Sequence, residues 1–216
     1  MKTDPRRPTD DLTTELLRGT AETATAWLAG LAERPVRATA TREELLAGLG
    51  GPLPEDGSPA EEVVAQLVRA AEPGVVGIPG PQYSRRARGF AAWAALRQLG
   101  RAGVASLIER QAALAARMGA ALRAAAADGV GVEVLNDVVF NQVLVRFPAA
   151  SGDRATSDAR THAVVAGVQD DGACWLAGST WHGMAVMRVS VSNWSTTEAD
   201  IDRSAAAIVR VARAIR

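Results

Sequence analysis

The sequence predicts a mixed α/β protein (α+β) in which helices come first and a small, mostly antiparallel sheet of three to four strands follows. Two observations carry this prediction. Over most of the first 127 residues, apolar side chains recur at spacings of three and four, which is typical of amphipathic helices. From residue 132 onward they alternate in short runs, in the order β-β-α-β-β-α. Such an order favours a sheet with helices on one face.

Three helices are predicted first, after a charged tail over residues 1–10 that we expect to be disordered. The first helix reaches about Glu33 and is stopped by Pro35. Its apolar face consists of Leu12, Leu16, Leu17, Ala24, Trp27, Leu28 and Leu31. Residues 10–72 carry too few apolar side chains for a core of their own. We therefore expect an arm that packs on another surface.

Two of these helices begin with a predicted capping box, in which a hydroxyl side chain and a carboxylate bind the unpaired amides of the first turn. The boxes are Thr41–Glu44 and Ser58–Glu61, the second with Pro59 at the first helical position. Gly50 ends the first of these helices and Pro73 follows the second. Inward-facing positions of the second are Val63, Val64, Leu67 and Val68.

Two further helices are predicted next, one from Ser84 to Leu99 with Gly100 as a cap, and a longer one from Ala102 to Ala127. The inward positions of the first are Phe90, Trp93, Ala94 and Leu96. The apolar seam of the second is Val104, Leu107, Ile108, Gln111, Leu114, Met118 and Leu122. Together they predict a substantial helical layer for the sheet that follows.

The strands are predicted from alternation, with a hairpin turning at Trp181–Gly183. They cover Val132–Leu135, Val139–Phe147, Ala173–Ser179 and Met184–Val191. A helix over about 158–169 separates the two pairs, and its inward positions are Val164, Val165 and Val168. The last helix begins near Thr197, with Asp200 as its capping partner.

Composition excludes several classes of function. The 24 acidic and 24 basic residues balance, so the chain has no net charge that would favour binding to a nucleic acid or an anionic membrane. No apolar run approaches the ~20 residues that span a bilayer. The single cysteine, Cys174, cannot form an internal disulfide, and we expect a cytoplasmic location. One cysteine and two distant histidines give no metal-ligand spacing, so no metal site is predicted.

Two stretches resemble a known enzyme family. They are Tyr83–Gly100 (YSRRARGFAAWAALRQLG) and Met187–Asp202 (MRVSVSNWSTTEADID). Both resemble the pyridoxal-phosphate-dependent (group II) decarboxylases that act on aromatic amino acids and glutamate. Three further segments, Leu31–Val36, Pro52–Glu55 and Glu61–Val64, resemble the N-terminal arm with which those enzymes wrap their partner subunit. The resemblance implies the small C-terminal domain of a fold-type-I enzyme, a carboxy-lyase of carboxylic acid metabolism.

The family's large cofactor domain has no counterpart in this chain. In the family it lies between the arm and the small domain and carries the Schiff-base lysine. Here we place the join near Gly80–Tyr83, and the only lysine is Lys2. The resemblance thus implies an arm over 11–74, a junction over 75–83 and a small domain over 84–216. We expect a truncated relative that neither binds pyridoxal phosphate covalently nor catalyses decarboxylation as this chain.

Arg188 is the strongest site candidate, because it lies in the middle of a strand on one face with Val186 and Ser190. In similar enzymes an arginine in this strand lies near the substrate carboxylate, which a guanidinium binds in bidentate fashion. The alternative is a structural ion pair. Ser84 is a weaker substrate-binding candidate by resemblance, and its alternative is the N-cap of the helix that follows. No catalytic or cofactor-binding residue is predicted.

A second class of function remains open, that of a non-catalytic dimerisation or interaction module. Surfaces that pack on the large domain in the family would be uncovered in this chain and would present apolar patches. We therefore expect a homo-oligomer, or association through these former domain interfaces.

Overall fold

The computed structural model describes residues 8–35, 38–75 and 88–215 of the chain. Packing separates the chain into two compact units, with the division between Ala105 and Ser106. The predicted ranges 11–74, 75–83 and 84–216 remain predictions, because they mark a correspondence with a family rather than a division by packing. None of the helices in the described ranges combines the length and the apolar character needed to cross a membrane.

The structure is a mixed α/β protein with a four-stranded antiparallel sheet, which confirms the predicted fold class. Two 3-10 turns, Leu31–Glu33 and Glu72–Gly74, accompany the regular elements. The helices are α1 (Pro8–Ala29), α2 (Arg42–Leu49), α3 (Ala60–Ala71), α4 (Arg88–Ala127), α5 (Arg154–Asp171) and α6 (Glu198–Ala214). The strands are β1 (Glu133–Val134), β2 (Gln142–Arg146), β3 (Ala177–Trp181) and β4 (Met184–Ser190).

Of the two predicted capping boxes in the first unit, one is confirmed and one is wrong. Thr41 N donates to the Glu44 carboxylate at 2.7 Å and Glu44 N donates to the Thr41 hydroxyl, so α2 begins as expected. Hydrogen bonding of the Thr41 backbone and side chain to the Glu44 carboxylate lowers the pKa of Glu44. At α3 the N-cap is Pro59, which has no side-chain donor or acceptor. The hydroxyl that was predicted to cap α3 belongs to Ser58, which lies one residue before the observed N-cap. The Ser58 amide donates to the Arg97 carbonyl.

The apolar face of α1 is partly uncovered, since Leu16 and Trp27 are half-buried but three of its leucines are exposed. Leu12, Leu17 and Leu28 are 71%, 65% and 60% exposed. Among the described apolar side chains before Ser106, only that of Val63 on α3 is buried. The described part of this unit therefore has almost no core.

Helix α4 is interrupted at Gly100, where φ is 65° and ψ is −178°. The predicted cap at this glycine is confirmed, because the backbone leaves the helical region there. The expectation that Phe90 and Leu96 face inward is wrong, since they are 39% and 45% exposed. Only the side that carries Trp93 is packed, and its indole donates to the Leu49 carbonyl at 2.6 Å.

The sheet has the strand order β1-β2-β4-β3 with antiparallel neighbours throughout. A two-residue turn, His182 and Gly183, joins β3 to β4 with φ values of 46° and 72°. Positive φ at both positions matches the twist of a tight hairpin. The predicted hairpin is confirmed, although Trp181 ends β3 and is not part of the turn.

One face of the sheet forms the core of the second unit. Val143, Val145 and Phe147 are fully buried, which confirms their predicted shared face. The helical residues that complete this core include Leu114, Met118 and Leu122 of α4, Val164, Val165 and Val168 of α5, and Ile201, Ala205 and Ile208 of α6. The helices therefore cover the sheet on one side, as predicted.

Side-chain caps fix the starts of α5 and α6. Asp153 accepts a hydrogen bond from Thr156 N at 2.8 Å, so α5 begins before its predicted start near residue 158. The Ser151 hydroxyl and the amide of Thr156 lower the pKa of Asp153 to about 2. The predicted partnership of Thr197 with Asp200 is confirmed as a full capping box.

Candidate functional site

Arg188 lies in the middle of β4, between Leu144 of β2 and Ala177 of β3 in the strand register. Alternation along β4 places it on the opposite face of the sheet from Met187 and Val189, which belong to the core. Its side chain is exposed. The sheet thus presents one arginine at the centre of its outer face.

In the described part of the chain, no acidic side chain forms the structural ion pair that was the alternative role for Arg188. The ion pairs and side-chain hydrogen bonds of residues 8–35, 38–75 and 88–215 leave its guanidinium without an acceptor. A free guanidinium on an open surface can accept a carboxylate in bidentate geometry. Arg188 as a carboxylate-binding residue therefore stays a prediction. The other candidate, Ser84, lies outside the described residues.

A buried ion pair between Arg146 and Asp158 is a feature that the sequence reasoning missed. Arg146 is 6% exposed, and its Nη2 lies 3.0 Å from Asp158 Oδ1. Asp158 also accepts from Ala185 N at 3.0 Å, and Arg154 Nε lies 3.7 Å from Asp158 Oδ2, on the preceding turn of α5. The signal was the place of Arg146 near the end of a strand whose other face is entirely apolar. Such a charge requires a partner.

Arg160 forms a second cluster that the sequence did not reveal. Its guanidinium donates to four backbone carbonyls from three separate parts of the second unit. Three of these are Ile215, Gly131 and Ala212, each at 3.0 Å, and the fourth is Pro148. All the acceptors of Arg160 are main-chain groups, so this side chain is suited to holding the fold together rather than to chemistry on a ligand.

The remaining polar groups do not assemble into a reactive site within the described ranges. His162 and His182 are both exposed, and the His182 ring is in edge contact with Trp181 at 4.6 Å. Burial raises the pKa of the half-buried Cys174 thiol, which disfavours a nucleophilic thiolate. Histidine, cysteine and carboxylate side chains of the described residues form no group able to hold a metal ion.

In the first unit, an open groove of ≈ 420 Å³ is lined by Ser58, Glu62, Ala65, Gln66 and Arg69. It contains none of the residues predicted to act in a site.

The chain is similar in structure to several solved enzymes. Oryza sativa TDC, crystallised with PLP and tryptamine, matches 61% of this chain and 28% of its own, with 20% identity and a TM-score of 0.54. Catharanthus roseus tryptophan decarboxylase in complex with L-tryptophan matches 72% of this chain and 34% of its own, with 16% identity and a TM-score of 0.51. Rhodiola rosea 4-hydroxyphenylacetaldehyde synthase has 18% identity and a TM-score of 0.50 over 72% of this chain.

These similarities show a shared fold. The chain spans about a third or less of the length of these enzymes, from 28% to 34%. No protein-family model and no curated protein matches it.

The residues present do not fit pyridoxal phosphate as a lysine-bound cofactor. The ranges 8–35, 38–75 and 88–215 contain no lysine, and Lys2 is the only one in the chain. Enzymes of this chemistry hold the cofactor as a Schiff base on a lysine inside a pocket. Arg188, the substrate-contact candidate within the described residues, is exposed on the sheet. No catalytic step through the cofactor can be assigned to this chain.

Proposed function

We propose that this chain is a truncated relative of the pyridoxal-phosphate-dependent aromatic amino acid decarboxylases and that it does not catalyse decarboxylation alone. It corresponds to their N-terminal arm and small C-terminal domain. The balanced charge supports a protein partner rather than a nucleic acid or a membrane.

The observation that supports this proposal most strongly is that the match covers most of this chain but only a minor part of the enzyme. Up to 72% of this chain matches tryptophan decarboxylase, yet the match takes in only 34% of that enzyme. The sequence resemblance places the unmatched part at the junction near residues 80–83, where the family carries its cofactor domain. The lack of any lysine beyond Lys2 agrees with this placement.

Treatment of the purified chain with pyridoxal phosphate and then borohydride is expected to leave no site-specific adduct. Borohydride fixes a cofactor bound to lysine as a stable secondary amine, which intact-mass measurement detects. The Lys2→Arg variant is the matched control, because it removes the only lysine without changing the charge. An adduct that disappears in this variant is located on Lys2. Release of carbon dioxide from an aromatic L-amino acid by the wild-type chain would overturn the proposal.

A second candidate function, that of an interaction module, is favoured by α1. Three leucines of this helix are more than half exposed, at positions 12, 17 and 28. Exposed apolar side chains on one helix mark a surface that associates with another protein. The partner would be a second copy of this chain or an intact decarboxylase.

The double variant Leu12→Asp/Leu17→Asp is expected to shift the chain from an oligomer to a monomer. Two charges on an apolar contact surface should weaken association at least about 100-fold, since each loses roughly 1.5–3 kcal/mol of burial. Sedimentation equilibrium measures this shift. The control is Thr20→Asp/Thr23→Asp, which adds the same charge to two exposed threonines of α1. A monomeric wild type that also fails to bind a full-length decarboxylase would count against this candidate.

A further inference from the structure

The break in α4 leaves backbone groups without their usual helical partners. In a continuous helix each amide donates to the carbonyl four residues earlier. The amides of Arg101 and Ala102 would then donate to the carbonyls of Arg97 and Gln98. At Gly100 the backbone leaves the helical region, so these bonds are not made within the helix.

A loop of the same unit, residues 52–58, supplies the missing partners. It precedes α3, and three of its backbone groups bond to the break. The bonds run from Arg101 N to Pro54 O at 2.9 Å, from Ala102 N to Glu55 O at 2.9 Å, and from Ser58 N to Arg97 O at 3.2 Å. The 52–58 loop thus takes over the hydrogen bonds that a continuous helix would make for itself.

Two glycines make this arrangement possible. A Cβ on Gly57 would overlap the carbonyl oxygen of Gln98, and a Cβ on Gly100 would overlap the carbonyl of Asp56. The conformation of Gly100, with φ of 65° and ψ of −178°, is also one that only glycine adopts readily. The loop and the helix break therefore approach each other at two positions where no other residue fits.

We propose that residues 88–105 of α4 are a two-state element, broken when the 52–58 loop is docked and continuous when the loop is released. The two states satisfy the same helix amides with different carbonyls, so they compete directly. Each state leaves few backbone groups unpaired, because a released loop lies on the surface and bonds to water. The docked loop holds the helix in its broken state, and release of the loop would restore a continuous helix.

Gly57→Ala and Gly100→Ala are each expected to release the 52–58 loop from the helix, for different physical reasons. The first blocks the loop from reaching the helix, and the second makes the broken conformation unfavourable and the continuous helix favourable. Gly89→Ala is the matched control, because Gly89 lies on the same helix with open space around its Cα. It adds the same methyl group and the same helix propensity without touching the loop.

Spin labels at Ala91→Cys and Ala105→Cys, both exposed, report the state of the helix in a Cys174→Ser background. A continuous helix places the two Cα atoms about 21 Å apart. Gly57→Ala and Gly100→Ala should shift the measured distance to the value of a continuous helix, while the control keeps the wild-type distance. A wild type that already has the continuous distance, or two glycine variants that keep the wild-type one, would overturn the proposal.

Limited proteolysis separates a two-state element from local unfolding. Glu55 is already exposed, but the docked loop holds its backbone by hydrogen bonds, so release should let a glutamate-specific protease cut there roughly tenfold faster in both glycine variants. Trypsin should cut after Arg97 and Arg101 no faster than in the wild type, because a continuous helix protects both. Faster tryptic cleavage at these arginines would show that the helix unfolds when the loop leaves, which contradicts the proposal.

Discussion

Replacing Arg160 by alanine is expected to lower the free energy of unfolding by about 3 kcal/mol, because four partly buried hydrogen bonds from a charged donor are lost together. The guanidinium donates to carbonyls after α4, after β2 and at the end of α6. Three chain segments distant in sequence therefore depend on one side chain. Carbonyls at the C-terminus of α6 also interact favourably with a positive charge through the helix dipole. Urea denaturation followed by tryptophan fluorescence measures the change.

Arg160→Lys distinguishes geometry from charge. A lysine keeps the positive charge but cannot direct donors to four carbonyls at once, so most of the loss should remain. Arg123→Ala is the matched control, since Arg123 is exposed and donates to a single carbonyl, that of Asn136. Its expected loss is below about 1 kcal/mol. Equal losses for Arg160→Ala and Arg123→Ala would contradict a structural role for the four-carbonyl cluster.

The sequence predicted the fold best where periodicity and turn chemistry acted together. The alternation of Val143, Val145 and Phe147 identified a core face that the structure buries completely. Positive-φ turn residues and the Thr197 cap likewise act locally, so short windows of sequence reveal them. The first helix is different, because its apolar spacing predicts a buried face, and burial depends on what lies opposite. In the described structure nothing covers Leu12 or Leu17.

The site was harder to predict because its features depend on contacts between distant segments. Arg188 was placed on the correct face of its strand, yet its lack of an acidic neighbour in the described ranges depends on what β2 and β3 bring beside it. Arg146 follows the alternation of β2, but its guanidinium pairs with Asp158, which lies beyond a loop near the start of α5. Alternation assigns a residue to a face. It does not indicate whether a charge there is buried or solvated.

Replacing Asp158 by alanine is expected to destabilise the second unit by about 3 kcal/mol, because it leaves the charge of Arg146 buried without a counter-charge. The Arg146 side chain is 7% exposed, and its Nη1 is buried with no hydrogen-bond partner, so little solvent can compensate. The variant also removes the acceptor for Ala185 N at the start of β4. Asp158→Asn should cost less, since its amide oxygen can still accept that bond. Chemical denaturation of the wild type, Asp158→Ala and Asp158→Asn gives the order of their free energies of unfolding.

The double variant Arg146→Met/Asp158→Leu tests whether the pair stabilises the fold or only avoids a penalty. Removing both charges eliminates the unpaired guanidinium, and apolar side chains of similar volume can fill a buried ion-pair site at little cost. We therefore expect the double variant to recover most of the stability that Asp158→Ala loses. The exposed pair of Arg117 and Asp202 is the control, and Asp202→Ala should cost much less stability than Asp158→Ala. If the double variant is as unstable as Asp158→Ala, the destabilisation comes from lost contacts of Asp158 itself, such as its bond to Ala185, and not from the isolated charge on Arg146.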